Sequence, residues 1–249
     1  MKFLLSSCVA LAIVLCGCGK KSDSTLTVAT DNTFVPFEFL DTETGETVGF
    51  DIDLIRAIAE EAGLELEIQS MEFDGIIAGL QANRYDLAIA GMTITDERKK
   101  SVDFSAPYYD SGLTIAVQKD NTTITSIADL AGKRVGTRSG TTGATYLQEN
   151  VPTAEVVAFP GIVEAYMDLQ AGRIDAVLYD QPNISYYITK EGGTELKMVG
   201  GLLRGEQYGI AFPKGSPHKA KVDAALQTLR DNGTYDRIYA KWFGAGTKH

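Results

Sequence analysis

At 249 residues the chain is long enough for one large domain or two small ones. Hydrophobic residues make up 44% and charged residues 22%, an ordinary soluble globular mix. The formal net charge of −10, with no Lys/Arg cluster and no aromatic–basic stripe, excludes a general attraction for nucleic acid or anionic lipid.

The first residues, "MKFLLSSCVALAIVLCGC", read as a secretory signal: a basic start at Lys2, an apolar stretch too short to span a bilayer, then a small residue before a cysteine. The stretch Leu15-Cys16-Gly17-Cys18 resembles a bacterial lipobox. That resemblance implies cleavage before Cys18 and acylation of its thiol; the alternative is an ordinary secretory signal cut nearby. Cys8 and Cys16 leave with the leader, so the mature body is expected to have no disulfide and to hold itself together by core burial. Loss of the leader takes the formal charge to −11, because Lys2 is its only charged residue. "GKKSDS" reads as a flexible tether from membrane to domain.

In the body, "TLTVATDNTF" opens as a strand, and "PFEFLDTETGETVGFD" as a hairpin turning through Gly45. "DIDLIRAIAEEAG" places Ile52, Ile55, Ala59 and Ala62 at helical spacing and stops at Gly63. "LELEIQSM" alternates as a strand, "FDGIIAGLQANR" is a helix and "YDLAIAG" a buried strand. Thr95 is placed to cap a helix starting at Asp96. Further on, "KRVG" is a strand, followed by Gly140 and Gly143 bracketing two threonines before a helix. "GGLLRGEQYGIAFPKGS" reads as a strand ending at Pro213. Two closing helices split at Asn232-Gly233. Such alternation predicts α/β architecture with largely parallel sheets.

There is an internal echo. "FDGIIAGLQANRYDLAIAG" from Phe73 and "FPGIVEAYMDLQAGRIDAVLYD" from Phe159 both read Phe-x-Gly-Ile, a helix, Leu-Gln-Ala-x-Arg, one residue, Asp, then an apolar strand. The second copy is three residues longer before its Leu-Gln-Ala. Two related lobes with a cleft between them are expected, and clefts between lobes are a preferred ligand site.

Three places carry chemistry. After "YDLAIA" come Gly91, Thr93 and, in the first turn of the next helix, Arg98. A cation there opposes the helix dipole unless an anion is usually present. A guanidinium grips a carboxylate with paired hydrogen bonds, although a surface pair with Glu97 or Asp103 is the plain alternative. "TRSGTTGATYLQ" offers exposed N–H groups to an anion just before a helix. "AVLYDQPN" puts Asp180 directly after an apolar strand with no basic neighbour, costly unless it meets a cation or caps the next helix. Together these suit a zwitterion, the backbone of a free α-amino acid.

The chain resembles the amino-acid solute-binding proteins that feed ATP-driven importers. "GFDIDLIRAIAEEAG", "MTITDERKKSVDFSAPYY", "GTTG", "YGIAFPKGS" and "LRDNGTYDRIYAKWFG" carry the likeness, from about Thr25 to Gly244. Within that family, "FVPFEF" and "ITDERKK" are most similar to the glutamine-binding members. The resemblance implies a two-lobed α/β periplasmic-binding-protein fold with two hinge crossings, near Tyr108–Gly112 and Arg204–Tyr208. Its divisions are 1–17 signal peptide, 18–25 lipidated tether, 26–108 with 208–249 the first lobe, and 109–207 the second. It also implies that Arg98 and the Thr142 N–H hold the ligand carboxylate, and that Gly91, Thr93 and Asp180 hold its ammonium. Asp31, Phe34, Phe73 and Arg138 surround the side chain. Aromatics beside strands are more often core, but Phe34 and Phe73 sit at loop starts rather than mid-strand, which favours binding; for Asp31 the plain alternative is a cap or turn role in "TDNT". The chain departs from the glutamine-binding pattern with Arg138 in place of lysine, Tyr179 in place of histidine, and "GTT" in place of Gly-Thr-Gly. The "GTTG" form is similar to binders of basic amino acids.

L-Glutamine is the expected ligand, since an amide has both a donor for Asp31 and an acceptor for Arg138. Arginine is the alternative if Arg138 swings out to solvent. The implied partner is an importer's membrane permease, and a lipid-anchored monomer is expected. The family also resembles cyclohexadienyl dehydratases, but Asp31 and Asp180 already have binding duties. The two histidines, His218 and His249, support neither a His-based metal site nor a triad. No cofactor, metal or catalytic residue is expected.

Overall fold

The computed structural model describes residues 25–244; the leader, Cys18 and the tether up to Ser24 lie outside them, as does His249. In chain order the elements are β1 (Thr25–Thr30), β2 (Thr33–Phe34), β3 (Glu38–Leu40), β4 (Thr47–Val48), α1 (Phe50–Ala62) and β5 (Glu65–Ser70). A 3-10 turn at Phe73–Gly75 leads into α2 (Ile76–Gln81), then β6 (Leu87–Ala88), α3 (Asp96–Ser101) and β7 (Asp103–Phe104). The middle of the chain forms β8 (Tyr109–Gln118), β9 (Arg134–Arg138), α4 (Thr142–Asn150), β10 (Glu155–Phe159), α5 (Ile162–Gln170), β11 (Ala176–Asp180), α6 (Gln181–Lys190) and β12 (Leu196–Tyr208). β13 (Ala211–Phe212), α7 (Lys219–Asp231) and α8 (Thr234–Phe243) complete it.

Two five-stranded sheets, ordered β5-β1-β6-β13-β7 and β10-β9-β11-β8-β12, define two lobes. In each, four strands run in one direction and one runs against them, β13 in the first and β8 in the second, so two of the four pairings are parallel, two are antiparallel and the sheets are mixed rather than largely parallel. The parallel trios β5-β1-β6 and β10-β9-β11 match strand for strand. Their central strands pair in the same phase: Val28 opposes Leu87, and Val135 opposes Ala176. The aspartate of each Leu-Gln-Ala-x-Arg repeat does the same job. Asp86 accepts from the Thr27 N–H and Asp175 from the Arg134 N–H, both at 2.8 Å. The sequence echo is therefore a structural one, and each carboxylate replaces a ladder partner at a strand start.

Local sequence explains the element ends. α1 stops at Gly63, whose φ of 60° only glycine adopts cheaply. Thr95 caps α3, its hydroxyl accepting from the Arg98 N–H at 3.1 Å. α4 begins earlier than its glycines suggest: Gly143 lies inside the first turn, where a Cβ would meet Thr137 Oγ1 at 2.9 Å and the Leu178 carbonyl oxygen at 3.1 Å. That glycine lets the helix approach the sheet. The "YDLAIAG" strand pairs only over Leu87–Ala88, yet the run stays buried to Met92.

The lobes join where β8 and β12 pair side by side, Tyr109 opposite Tyr208 and Gly112 opposite Gly205. An aromatic cluster fills this junction. Tyr109 and Tyr208 stack at 5.7 Å, and Phe37 packs against Phe34, Phe50, Tyr109, Tyr208 and Phe243 with centroids 4.8–6.0 Å away. α8 is thereby tied to the hinge, and each buried ring adds packing beyond its area. Among the described residues no helix is long and apolar enough to cross a membrane.

Candidate functional site

The carboxyl ends of the central strands face one another across the cleft. β1 ends before Asp31 and β9 ends in Arg138, at matching positions of the two trios. The β6 run ends in Gly91 and β11 ends in Asp180, also at matching positions. Two related lobes thus bring four strand ends to one point, outside the carboxyl edge where open α/β sheets bind ligands.

An enclosed cavity sits there. Phe34, Phe73, Ala90, Gly91, Thr93 and Arg98 line it from one lobe, and Arg138, Thr141, Thr142, Tyr179 and Asp180 from the other. Every sequence-predicted site residue borders it except Asp31, which reaches it through Arg138. The cavity is about 10 Å³, room for about one water molecule, so a larger ligand enters only when the lobes part or side chains swing.

Arg98 makes no surface pair; Glu97 bonds Lys100 and Asp103 bonds Lys214 instead. Its guanidinium donates to the Thr93 carbonyl at 2.8 Å and, across the cleft, to the Gly140 carbonyl at 3.1 Å. Burial holds its pKa below the usual arginine value, against the raising fields of Glu206 and Asp180. Phe73 separates two cations, its ring 5.4 Å from the Arg98 guanidinium carbon and 5.5 Å from that of Arg138. Phe34 covers Gly91, whose φ is 52° and where a Cβ would meet the Phe34 ring at 2.3 Å. Both phenylalanines line the cavity and also belong to the buried cores of their lobe.

Asp31 and Arg138 do not stand apart at the side-chain end; they form an ion pair with each other. It joins the lobes, with side chains 1% and 3% exposed. Asp31 also keeps its turn role, Oδ1 accepting from the N–H groups of Asn32 and Thr33 at 2.6 and 3.0 Å. Arg138 Nε donates to the Pro160 carbonyl at 2.9 Å, so the side chain is held inward rather than swung to solvent. Burial works against its charge, but Tyr179 and Asp31 raise its pKa above the ordinary arginine value.

Asp180 sits at the N-cap position of α6 but makes no side-chain cap. Its Oδ1 accepts from Tyr208 Oη at 2.6 Å. Burial, then the nearby Glu206 charge, push its pKa up to about 7, opposed by the Tyr208 hydrogen bond and by Arg98. Arg98, distant in sequence, is thus the basic group facing Asp180 that its immediate neighbours do not supply.

Sequence reasoning missed Thr141, Tyr208, Glu206 and the groups behind Gly91. Asp51 accepts from the Gly91 N–H at 2.9 Å and from Tyr108 Oη at 2.6 Å. Burial raises Asp51 to about 6, and burial with Asp51 nearby pushes Glu38 well above the usual range. Nothing in the local patterns of "PFEF", "GFDID" or "GEQYG" signals that these acids point inward; only tertiary packing does.

Residues 26–245 match the family model for bacterial extracellular solute-binding proteins, family 3. The L-cystine-binding protein TcyJ of Escherichia coli strain K12 is 35% identical over 90% of this chain and 85% of its own length. The ABC transporter arginine-binding protein 1 of the same organism is 35% identical over 85% of this chain and 87% of its own. Among solved structures, an ancestral arginine-binding protein bound to arginine is 46% identical, with a TM-score of 0.85, covering 89% of this chain and 99% of its own. An ancestral arginine-binding protein bound to glutamine has a TM-score of 0.84, again at 46% identity, covering 89% of this chain and 98% of its own. From the strand-end cleft, the two lobes and these matches, the chain belongs to family 3 of the bacterial extracellular solute-binding proteins.

Proposed function

We propose that the chain is an extracytoplasmic receptor for a polar L-amino acid, tethered through Cys18, that serves the membrane permease of an ATP-driven importer. L-Glutamine is its ligand. In this reading residues 26–108 with 208–249, and 109–207, are the lobes that close on it. The observation that carries it is the meeting of Asp31 and Arg138 in the same cleft as Arg98, Thr142 and Asp180. The ligand carboxylate goes to Arg98 and the Thr142 N–H, and the ammonium to Asp180, Thr93 and Gly91. Its side chain runs past Phe34 and Phe73 to the Asp31–Arg138 pair.

A primary amide separates that pair without stranding either charge, since it offers a donor to Asp31 and an acceptor to Arg138. Glutamate would face Asp31, and arginine would face the inward-held Arg138, and like charges are costly in a closed cleft. Arginine remains the second reading, favoured by the arginine-binding relatives. A dehydratase reading is weaker: Glu206, the further buried acid at the cleft, is enclosed by Thr93, Thr142 and Arg204 rather than directed at a substrate.

Titration calorimetry against a panel of amino acids tests this. Glutamine ranks above arginine and glutamate, and Arg138→Ala narrows the gap to arginine. Tighter binding of arginine than glutamine by the wild type overturns the amide reading and leaves the receptor reading standing. Binding of no amino acid at all overturns both.

A further inference from the structure

Glu206 lies on the hinge strand β12, with its side chain 2% exposed. Its Oε1 accepts from Arg204 Nε and Nη2, at 3.0 and 2.5 Å, and that guanidinium balances its charge. Its Oε2 accepts two hydroxyl hydrogens, from Thr93 Oγ1 and from Thr142 Oγ1, each at 2.9 Å. Thr93 belongs to the sheet edge of one lobe and Thr142 opens α4 of the other. One carboxylate oxygen therefore gathers a hydroxyl from each side of the cleft.

The consequence is one of donor counting. A hydroxyl has a single hydrogen, and a carboxylate has none to give. Once both threonines donate to Glu206, their oxygens offer only lone pairs to the cavity they line. Asp180 stands beside them as a third acceptor. An ammonium carries three donors and no acceptor, so it matches this set. A hydroxyl brings one donor, and a hydrogen in the same place brings none.

We propose that Glu206 is a positioning residue that sets the polarity of the ammonium end of the cleft: by holding the hydroxyl hydrogens of Thr93 and Thr142 it makes this end accept from a primary ammonium and discriminate against ligands lacking one. Because its two threonines come from different lobes, the acceptor set is complete only in the closed form. The proposal rests on the amino-acid receptor reading but not on which side chain is bound.

The test compares each amino acid with its counterpart lacking the α-amino group: L-glutamine with 5-amino-5-oxopentanoate, and L-arginine with 5-guanidinopentanoate. In wild type the amino compound binds more tightly. In Glu206→Gln, which keeps the volume but supplies a donor, that preference falls about tenfold or more, while affinity for the counterpart changes less than about threefold. A residue that merely supports the fold would weaken both ligands of a pair in parallel; that result, or an unchanged preference, overturns the proposal. If Glu206→Gln does not fold by circular dichroism, Thr93→Val with Thr142→Val in the wild-type background removes the same hydroxyls and gives the same loss of preference. In a folded Glu206→Gln protein, adding Thr93→Val costs little more, because the two act through one contact; fully additive losses overturn the link to Thr93. Wild-type preference with an unchanged variant sinks only the role of Glu206, whereas failure of wild type to bind either amino acid sinks the receptor reading too.

Discussion

Arg98 sits where a cation is locally disfavoured, in the first turn of α3, and where burial lowers its pKa. Its two carbonyl contacts hold it there, but neither neutralises it. A ligand carboxylate would. Arg98→Ala is expected to lose about 2–5 kcal/mol of amino-acid binding, the cost of stranding a charged partner, with the fold intact; calorimetry with near-normal affinity would contradict it. The buried acids give a second expectation. Asp51 and Asp180 have pKa values raised to about 6 and about 7, and burial raises that of Glu38 well above the usual carboxylate value. The folded chain then holds more protons than the unfolded chain above the usual carboxylate value. Their stabilisation is fully present below about pH 4 and is lost as pH rises through about 6–7. Asp103 and Asp175, whose pKa values are lowered, act in the opposite sense but only below that window. The melting temperature of the ligand-free protein should fall from about pH 5 to about pH 8, and Asp180→Asn should flatten part of the slope. A melting temperature that rises over this range would be the wrong sign.

At the scale of elements, the repeated helix–strand units and their capping signals were legible because they are local. Hydrophobic period, a threonine before "DERKK" and Gly63 each fix one end of one element. The short β6 ladder and the early start of α4 were not, since both depend on a neighbouring strand. The pairing of β8 with β12 makes the lobe connection a two-stranded hinge, and polar contacts cross the cleft beside the aromatic ones of Phe34 with Tyr179 and Phe73 with Arg138. The polar ones include the Asp31–Arg138 pair, the Arg98 bond to Gly140, the Asn183 bond to the Val35 carbonyl at 2.6 Å, and Glu206 with its two threonines. In the proposed reading, binding selects the closed state through contacts that each lobe only half supplies. Small-angle scattering should therefore record compaction on saturation with ligand. Identical curves would argue against hinge closure on binding.

Over the whole molecule, the proposed reading has the leader and tether set where the receptor works. Wild-type protein should partition with membranes and incorporate radiolabelled lipid, and Cys18→Ser should block both acylation and processing. Equal labelling of the two proteins would rule out the anchor. The sequence by itself determined the α/β class, the two related lobes and the strand ends that carry Gly91, Thr93, Arg98 and Asp180, because hydrophobic period, turn residues and repeated motifs are local and survive as strings; Phe34, Phe73, Arg138 and Thr142 came from the family resemblance. Only the tertiary structure decided which charges meet. Asp31 and Arg138 lie far apart in the chain, and a carboxylate's partner depends on distance and burial after folding rather than on its neighbours in sequence. The same holds for Glu206: its strand pattern says only that it lies near a hinge, and the folded lobes alone place two threonine hydroxyls on one of its oxygens.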